Sequence, residues 1–509
     1  MLQPFEQVIK GTFMADNDLD PVSDFKFKTE PWAHQRECFL MSRDREYFAL
    51  LLEMGTGKTW VAINTIAWLF GRGKITGALL IVPKSIARVW SNNELPRHLH
   101  DSVRRHVAIY SSAPSKERRA KLDRLFSKDQ LELKILIVNI EGLHRQPCYD
   151  FCVRFLRAHR ALAVVDESIT IANPRAKRTD KVLRLGDLAA YRRVMTGAPG
   201  LPMQVWSQMT FLSPNVLGTT SWYAHRNRYA QLKTRVISGH KFEEITGYQY
   251  LDDLEAKIGQ HAYRKLKSEC LDLPPKLFSP REVTMSPDQG AFYEQLRERS
   301  MVELVIAEEQ KQLTAPLVLT KILRLRQVLA GFYQLDDMDK PLYFESCPRT
   351  DEALEVARQA TGKVLIWSYF RPSLEQLFEK LAHEHSPQAV GIYYGDTNVE
   401  HRSEYERRFQ DPEDPLRFLV LNPATGGRGL TLTRAAVSIQ HDHGWSLEQR
   451  QQLEDRPHRG GLDHAVTYVD LVCPGTVDDA MMSSIANKAE LASQVTGDWR
   501  RIIGGSSGG

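Results

Sequence analysis

The sequence predicts an α/β protein made of two parallel-sheet halves with helical insertions between them. Three observations carry this. Short apolar runs alternate with stretches of helical periodicity twice over, at 47–165 and again at 363–472. Runs that are apolar throughout, bounded by helical stretches, indicate strands of a parallel sheet covered on both faces. Between the two series, 216–362 lacks that alternation and is interrupted by Pro274-Pro275.

Taken in order, 1–30 reads as a loose lead-in, and helix-compatible sequence follows at Ala33–Arg45. Tyr47–Leu52 is a short apolar run ending at Glu53-Met54-Gly55-Thr56-Gly57-Lys58-Thr59, and Trp60–Phe70 is helical. Gly77–Val82, Lys134–Asn139 and Ala161–Val165 read as buried strands, with helix-like Ser115–Leu125 and Tyr149–Arg157 between them. Trp222–Cys270 is polar and aromatic, and is expected to be helical or irregular. A strand-like Lys276–Met285 and a long helical stretch, Pro287–Phe332, precede the second series. That series runs Lys363–Ser368, Gly391–Tyr394, Arg417–Leu421, Val437–His441 and Thr467–Val472. The expected organisation is a lead-in at 1–30, a first lobe at 31–215 and a helical insertion at 216–275. The entry to the second lobe with its own insertion follows at 276–350, then that lobe at 351–495 and a Gly/Ser-rich flexible tail at 496–509.

Composition narrows the class. The 509 residues carry 67 Lys and Arg against 63 Asp and Glu, a net charge of +4, which excludes neither nucleic acid nor a small molecule as partner. No apolar run approaches the roughly 20 residues that span a membrane, and the start lacks a secretory pattern. With six cysteines the chain makes a poor disulfide framework. Cys148 and Cys152 have no second pair at zinc spacing, so no structural zinc is expected. A cytoplasmic protein is the expectation.

Gly55, Thr56, Gly57, Lys58 and Thr59 lie where a strand gives way to a helix. Glycines there turn backbone N–H groups onto phosphate oxygens, and the helix N-terminus adds its dipole. Lys58 is expected to reach the β- and γ-phosphates of ATP, and the Thr59 hydroxyl to ligate Mg²⁺. Leu52 stands where a full phosphate-loop pattern has its first glycine. Ala161–Val165 runs into Asp166-Glu167, so Asp166 is a candidate metal ligand and Glu167 a candidate for polarising the attacking water. Arg456 and Arg459, three apart, supply cationic groups for charge developing on the γ-phosphoryl oxygens.

These segments resemble a superfamily 2 helicase-like ATPase, and more specifically the Swi/Snf family of double-stranded DNA translocases. The likeness runs in motif order from about Pro31 to Val472. Thr29–Gln35 resembles the adenine-reading segment, with Gln35 as the adenine contact. Leu79–Ser85 with Trp90 and Glu94, then Ile135–Glu141, resemble DNA-contacting motifs. Asp166–Ser168 with Ile171–Arg178 is similar to the acidic box and its family-specific extension. Met195–Pro199 resembles the coupling motif, which gives Thr196 that role, and Gln452 is assigned coupling in the last motif. Lys363–Ser368, Tyr394-Gly395-Asp396, Gly426–Thr433 and Gln452–Gly461 resemble the second-lobe motifs, with Gly429 near nucleotide. The resemblance implies two RecA-like lobes closing on ATP and Mg²⁺.

Some positions depart from the family. Ser168-Ile169 replaces Ala-His in the acidic box, Gly200-Leu201-Pro202 follows the coupling motif, and Arg428, Thr431 and Leu462 replace other residues in the later motifs. A translocase grips phosphates rather than bases, and the candidates are Lys84, Ser85, Asn139, Lys177, Arg178, Ser368, Thr425 and Arg428. The leading expectation is an ATP-dependent motor on double-stranded DNA that displaces or remodels a bound protein. Its rivals are a strand-separating or branch-migrating helicase and a DNA-binding recruitment module with a vestigial ATPase.

Overall fold

A computed structural model describes residues 25–486, apart from 130, 198–199, 238–239, 311, 313, 335–339, 396, 398 and 427–429. The chain divides into two compact units that meet in sequence at Asp272 and Leu273.

Among the described residues, the first unit is built on nine strands: β1 (Tyr47–Leu52), β2 (Gly77–Val82), β3 (Arg105–Ile109), β4 (Leu133–Asn139), β5 (Ala161–Asp166), β6 (Tyr191–Met195), β7 (Ala230–Ile237), β8 (His240–Tyr248) and β9 (Ala262–Lys265). Seven of them form a parallel sheet in the order β3-β4-β2-β5-β6-β1-β9. β2 and β5 are buried along their whole length, which is why they read as unbroken apolar runs. Two cores follow from the two faces of the sheet. One gathers Leu79, Ile81, Leu136, Val165 and Phe155; the other gathers Leu50, Leu80, Ile137, Val164, Trp60 and Trp90. Successive residues of one strand thus serve opposite cores, as strand pleating requires.

The stretch expected to be a helical insertion is mixed: it holds the helices Trp222–Tyr229 and Leu251–Gly259 but also strands. Within 216–275, β7 and β8 form an antiparallel hairpin, and β9 adds a parallel strand beside β1. This corrects the expectation, and the reason is physical. Leu232, the β-branched Thr234 and Val236 are spaced at the strand period between Gln231, Lys233 and Arg235, and two residues separate the strands, which is a hairpin signal. β9 is short, and only its pairing to β1 makes it a strand. β3 and β6 also lack an unbroken apolar run: β3 alternates buried and half-buried residues, and β6 carries Arg192 and Arg193.

The second unit has a six-stranded parallel sheet. Its strands are β10 (Lys276–Glu282), β13 (Lys363–Trp367), β14 (Val390–Tyr393), β15 (Phe418–Leu421), β16 (Ala435–Gln440) and β17 (Val466–Val472), in the order β10-β17-β16-β13-β15-β14. A small two-stranded ladder, β11 (Phe332–Tyr333) with β12 (Leu342–Tyr343), lies outside it. The expected long helix proves to be two, Pro287–Glu309 and Ala315–Leu329, packed on each other around Tyr293, Leu304, Ile322 and Leu325. Among the described residues no helix is long and apolar enough to cross a membrane.

Candidate nucleotide and nucleic-acid sites

The order β5-β6-β1 places β6 between the strand that leads to the glycine loop and the strand that leads to the acids. Register makes this concrete: Met195 on β6 pairs with Leu50 on β1 and with Asp166 on β5. The ends of all three strands therefore converge at their carboxyl edge, where open α/β sheets bind ligands. Thr196 follows directly, buried, its N–H donating to the Leu50 carbonyl at 3.2 Å. Gly197 lies so close to the loop that a Cβ there would sit 3.1 Å from Met54.

The glycine loop has the backbone that its sequence predicts. Gly55 and Gly57 have φ of 78° and 87°, and Gly57 is the residue before the helix Lys58–Gly71. Only glycine takes that region without strain. Lys58 donates to the Leu52 carbonyl at 2.8 Å and the Glu53 carbonyl at 3.3 Å, across the mouth of its own loop. Thr59 is half-buried on the first turn of the helix. Gln35 lies against this loop. Its amide nitrogen donates to the Thr56 carbonyl at 3.2 Å, its amide oxygen accepts from the Trp32 N–H at 2.9 Å, and His34 donates to the same Thr56 carbonyl at 2.7 Å. Gln35, the expected adenine contact, is thus buried and engaged within the chain.

The acids are distinct from ordinary surface carboxylates. Asp166 is buried; one carboxylate oxygen accepts from the Trp90 indole N–H at 2.8 Å and the other from the Glu167 N–H at 2.9 Å. Burial, and then the charge of Glu167, push its pKa up to about 7, against the pull of Trp90 and Lys58. Glu167 has φ 48° and ψ 57°, a left-handed conformation that is rare for a residue with a Cβ, and its buried Oε2 has no hydrogen-bond partner. Strain and an orphaned carboxylate oxygen at one residue mark a site shaped for something other than stability. Thr59 and Asp166 present hard oxygen donors of the kind Mg²⁺ takes, and the orphaned Glu167 oxygen beside Asp166 fits a site built to receive a polar ligand.

In the second unit, Arg456 and Arg459 lie just beyond the helix Leu447–Glu454. Arg456 is buried, donating to the carbonyls of Gln452 at 3.0 Å and Leu430 at 3.2 Å. Arg459 donates to the Asp455 carbonyl at 3.1 Å and the Thr431 hydroxyl at 3.4 Å. Gln452 itself is buried. Glu406, which sequence reasoning passed over, accepts from the Thr431 N–H at 2.7 Å. Burial raises its pKa, while the Thr431 N–H and the charges of Arg459 and Arg456 oppose the rise. A glutamate in an exposed-looking charged helix carries no signal in sequence; only the fold brings it to these arginines.

Of the expected nucleic-acid contacts, Lys84 is exposed just after β2 and Asn139 ends β4, and the register sets Val82 beside Asn139. Lys177 is exposed at the start of the helix Lys177–Leu188, with Arg178 half-buried next to it. The Thr425 hydroxyl donates to the Asn422 carbonyl at 3.3 Å. Ser368 is a correction: it is fully buried and its hydroxyl donates to Asp442, because β13 delivers it into a polar core with His441 rather than to the surface. The Ser85 side chain, Arg428 and Gly429 lie outside the described residues.

The SNF2-related domain matches residues 34–331, and the helicase conserved C-terminal domain matches 349–461. An uncharacterized ATP-dependent helicase of Mycoplasma pneumoniae is 24% identical over 450 residues, covering 87% of this chain and 39% of that protein. The transcription regulatory protein SNF2 of Saccharomyces cerevisiae is 22% identical over 468 residues, covering 87% of this chain and 26% of that one. Among solved structures, the Sulfolobus solfataricus SWI2/SNF2 ATPase core in complex with dsDNA matches with 21% identity and a TM-score of 0.41, covering 95% of this chain and 98% of that chain. The chain thus spans under half the length of these curated relatives. With the first domain alone spanning more than half of the sequence, the chain belongs to the SNF2-related family of helicase-like ATPases.

Proposed function

We propose that the chain is an ATP- and Mg²⁺-dependent motor that moves along double-stranded DNA and displaces or remodels what is bound there. The observation that carries the enzymatic part is Glu167, strained and with an unpaired buried carboxylate oxygen, next to a buried Asp166 that feels the charge of Lys58. In this reading the N–H groups of the Gly55–Thr59 loop and Lys58 hold the phosphates. Lys58 leaves the Leu52 and Glu53 carbonyls to do so. Thr59 and Asp166 would hold Mg²⁺, which would supply positive charge against the phosphates. Trp90 keeps the Asp166 carboxylate oriented. Glu167 accepts a hydrogen bond from the attacking water and orients it toward the γ-phosphorus. Arg456 and Arg459 are assigned the charge that develops on the transferred group, a role worth about 10³–10⁵ in rate where an arginine performs it.

For the DNA-tracking part, support comes from Lys84 and Asn139 at neighbouring strand ends, and from Lys177 with Arg178 after the acidic segment. Such groups can hold phosphates without reading bases, which suits movement over any sequence. The test is the ATPase rate against the length of linear duplex DNA, with single-stranded DNA and RNA as controls. A rate that rises with duplex length to a plateau is expected, and hydrolysis should vanish in Lys58→Ala and Glu167→Gln. Turnover indifferent to duplex length, accompanied by efficient strand separation, would replace translocation with unwinding.

A further inference from the structure

We infer that Ser168 and Gln208 form a positioning bridge that holds the strained Glu167 and ties it to the segment following the coupling motif. The inference rests on the proposed ATPase role of Glu167. Ser168 stands directly after Glu167 and is fully buried, and its hydroxyl donates to the Gln208 amide oxygen at 2.6 Å, 40 residues away in sequence. Gln208, also fully buried, sits on the helix Val205–Leu212, and its amide nitrogen donates back to the Gln204 carbonyl at 3.1 Å. The Gln204 side-chain oxygen in turn accepts from the Leu201 N–H at 2.7 Å. A continuous chain of hydrogen bonds therefore runs from the acidic turn to Leu201, a few residues beyond Thr196.

An apolar contact runs alongside. Gly200 has φ 85°, and a Cβ there would meet the Gln204 side-chain oxygen at 2.2 Å and the Ile169 Cδ1 at 2.7 Å. Ile169 is packed on the backbone at Gly200, which only glycine permits. On the other side of the turn, the Thr170 N–H and hydroxyl both donate to the Glu167 carbonyl, at 2.9 and 2.8 Å. A left-handed conformation persists only where surroundings over-determine it. Here Thr170 fixes its carbonyl, and Ser168 anchors the next residue to a different helix. The two contacts lie side by side, a hydroxyl–amide bridge from Ser168 to Gln208 and Ile169 on Gly200, so they act as one device.

Movement of the 200–204 segment thus alters how firmly Glu167 is held, and with it the turnover step rather than nucleotide binding. The experiment uses the full chain with saturating duplex DNA. Ser168→Ala should lower kcat about three- to tenfold, the range one buried hydrogen bond supports, with KM for ATP changed less than about twofold. The Ser168→Ala/Gln208→Leu double variant removes both polar partners, so its unfolding temperature should return toward wild type while kcat stays low. Recovery of kcat together with stability would make the bridge merely structural and overturn the inference. So would a kcat unchanged in Ser168→Ala, or a KM that rises in step. A wild-type chain that hydrolyses no ATP sinks the functional reading itself, and the bridge falls with it.

Discussion

Replacing Glu167 with glycine should abolish hydrolysis and yet stabilise the first unit. The residue is held at φ 48°, and its Oε2 is buried without a partner. A left-handed conformation costs a residue with a Cβ about 1–2 kcal/mol, which glycine escapes. Burying an unsatisfied oxygen costs about another 1–3 kcal/mol. Loss of the side chain's packing offsets part of this, leaving an expected gain of about 2 kcal/mol, or roughly 4–8 °C for a unit of this size. The gain depends on pH. Asp166 has its folded pKa raised to about 7 by burial and by the Glu167 charge. A carboxyl with a raised folded pKa favours folding fully below its ordinary value of about 3.8, and that contribution is lost as pH rises through about 7. Removing the Glu167 charge lessens that loss, so Glu167→Gly should exceed wild type by more at pH 8 than at pH 4. Thermal unfolding of the full chain, with the first unit followed by hydrogen exchange at β5, measures both. A variant no more stable than wild type at pH 8 would refute the claim that this residue is strained for function.

Other outcomes follow from single side chains. Arg193→Met should destabilise the first unit by about 1–3 kcal/mol in urea unfolding, because the fully buried guanidinium serves the carbonyls of Ser42, Arg45 and Arg192 and has no solvent to replace it. Gly57→Ala combines a φ of 87° with a Cβ 1.9 Å from the Gln35 amide nitrogen, so fluorescent-nucleotide binding should weaken sharply while the second unit unfolds as before. Trp90→Phe keeps the ring but leaves one Asp166 oxygen without its donor. The ratio of nucleotide affinities with and without Mg²⁺ should fall about tenfold, as a hydrogen bond to a charged group is worth about 1.5–3 kcal/mol; an unchanged ratio would remove Trp90 from the site.

Much of the fold was legible because its signals are local. The unbroken apolar runs of β2, β4 and β5, the glycines at 55 and 57, and acids at the end of a strand are each written in neighbouring residues. Composition and periodicity alone determine such features, since full burial selects apolar side chains and a left-handed φ selects glycine. The hairpin at β7 and β8 was written there too, in the period-two spacing of Leu232, Thr234 and Val236, which a polar and aromatic context obscured. Ser368 shows the opposite limit: a serine at a strand end reads as a phosphate contact until the fold supplies Asp442 inside the core.

By itself, then, the sequence determined that the unbroken apolar runs become strands, where a glycine-rich loop stands and which acids end a strand. The tertiary structure alone decided that β6 lies between β1 and β5, that Gln35 is occupied by the Thr56 carbonyl, that Glu406 faces Arg456 and Arg459, and that Ser168 reaches Gln208. The physical reason is the same in each case. A period or a turn residue is set by neighbours along the chain, whereas the partner of a buried polar group is chosen by whichever donor or acceptor the packed sheet and helices bring within about 3 Å.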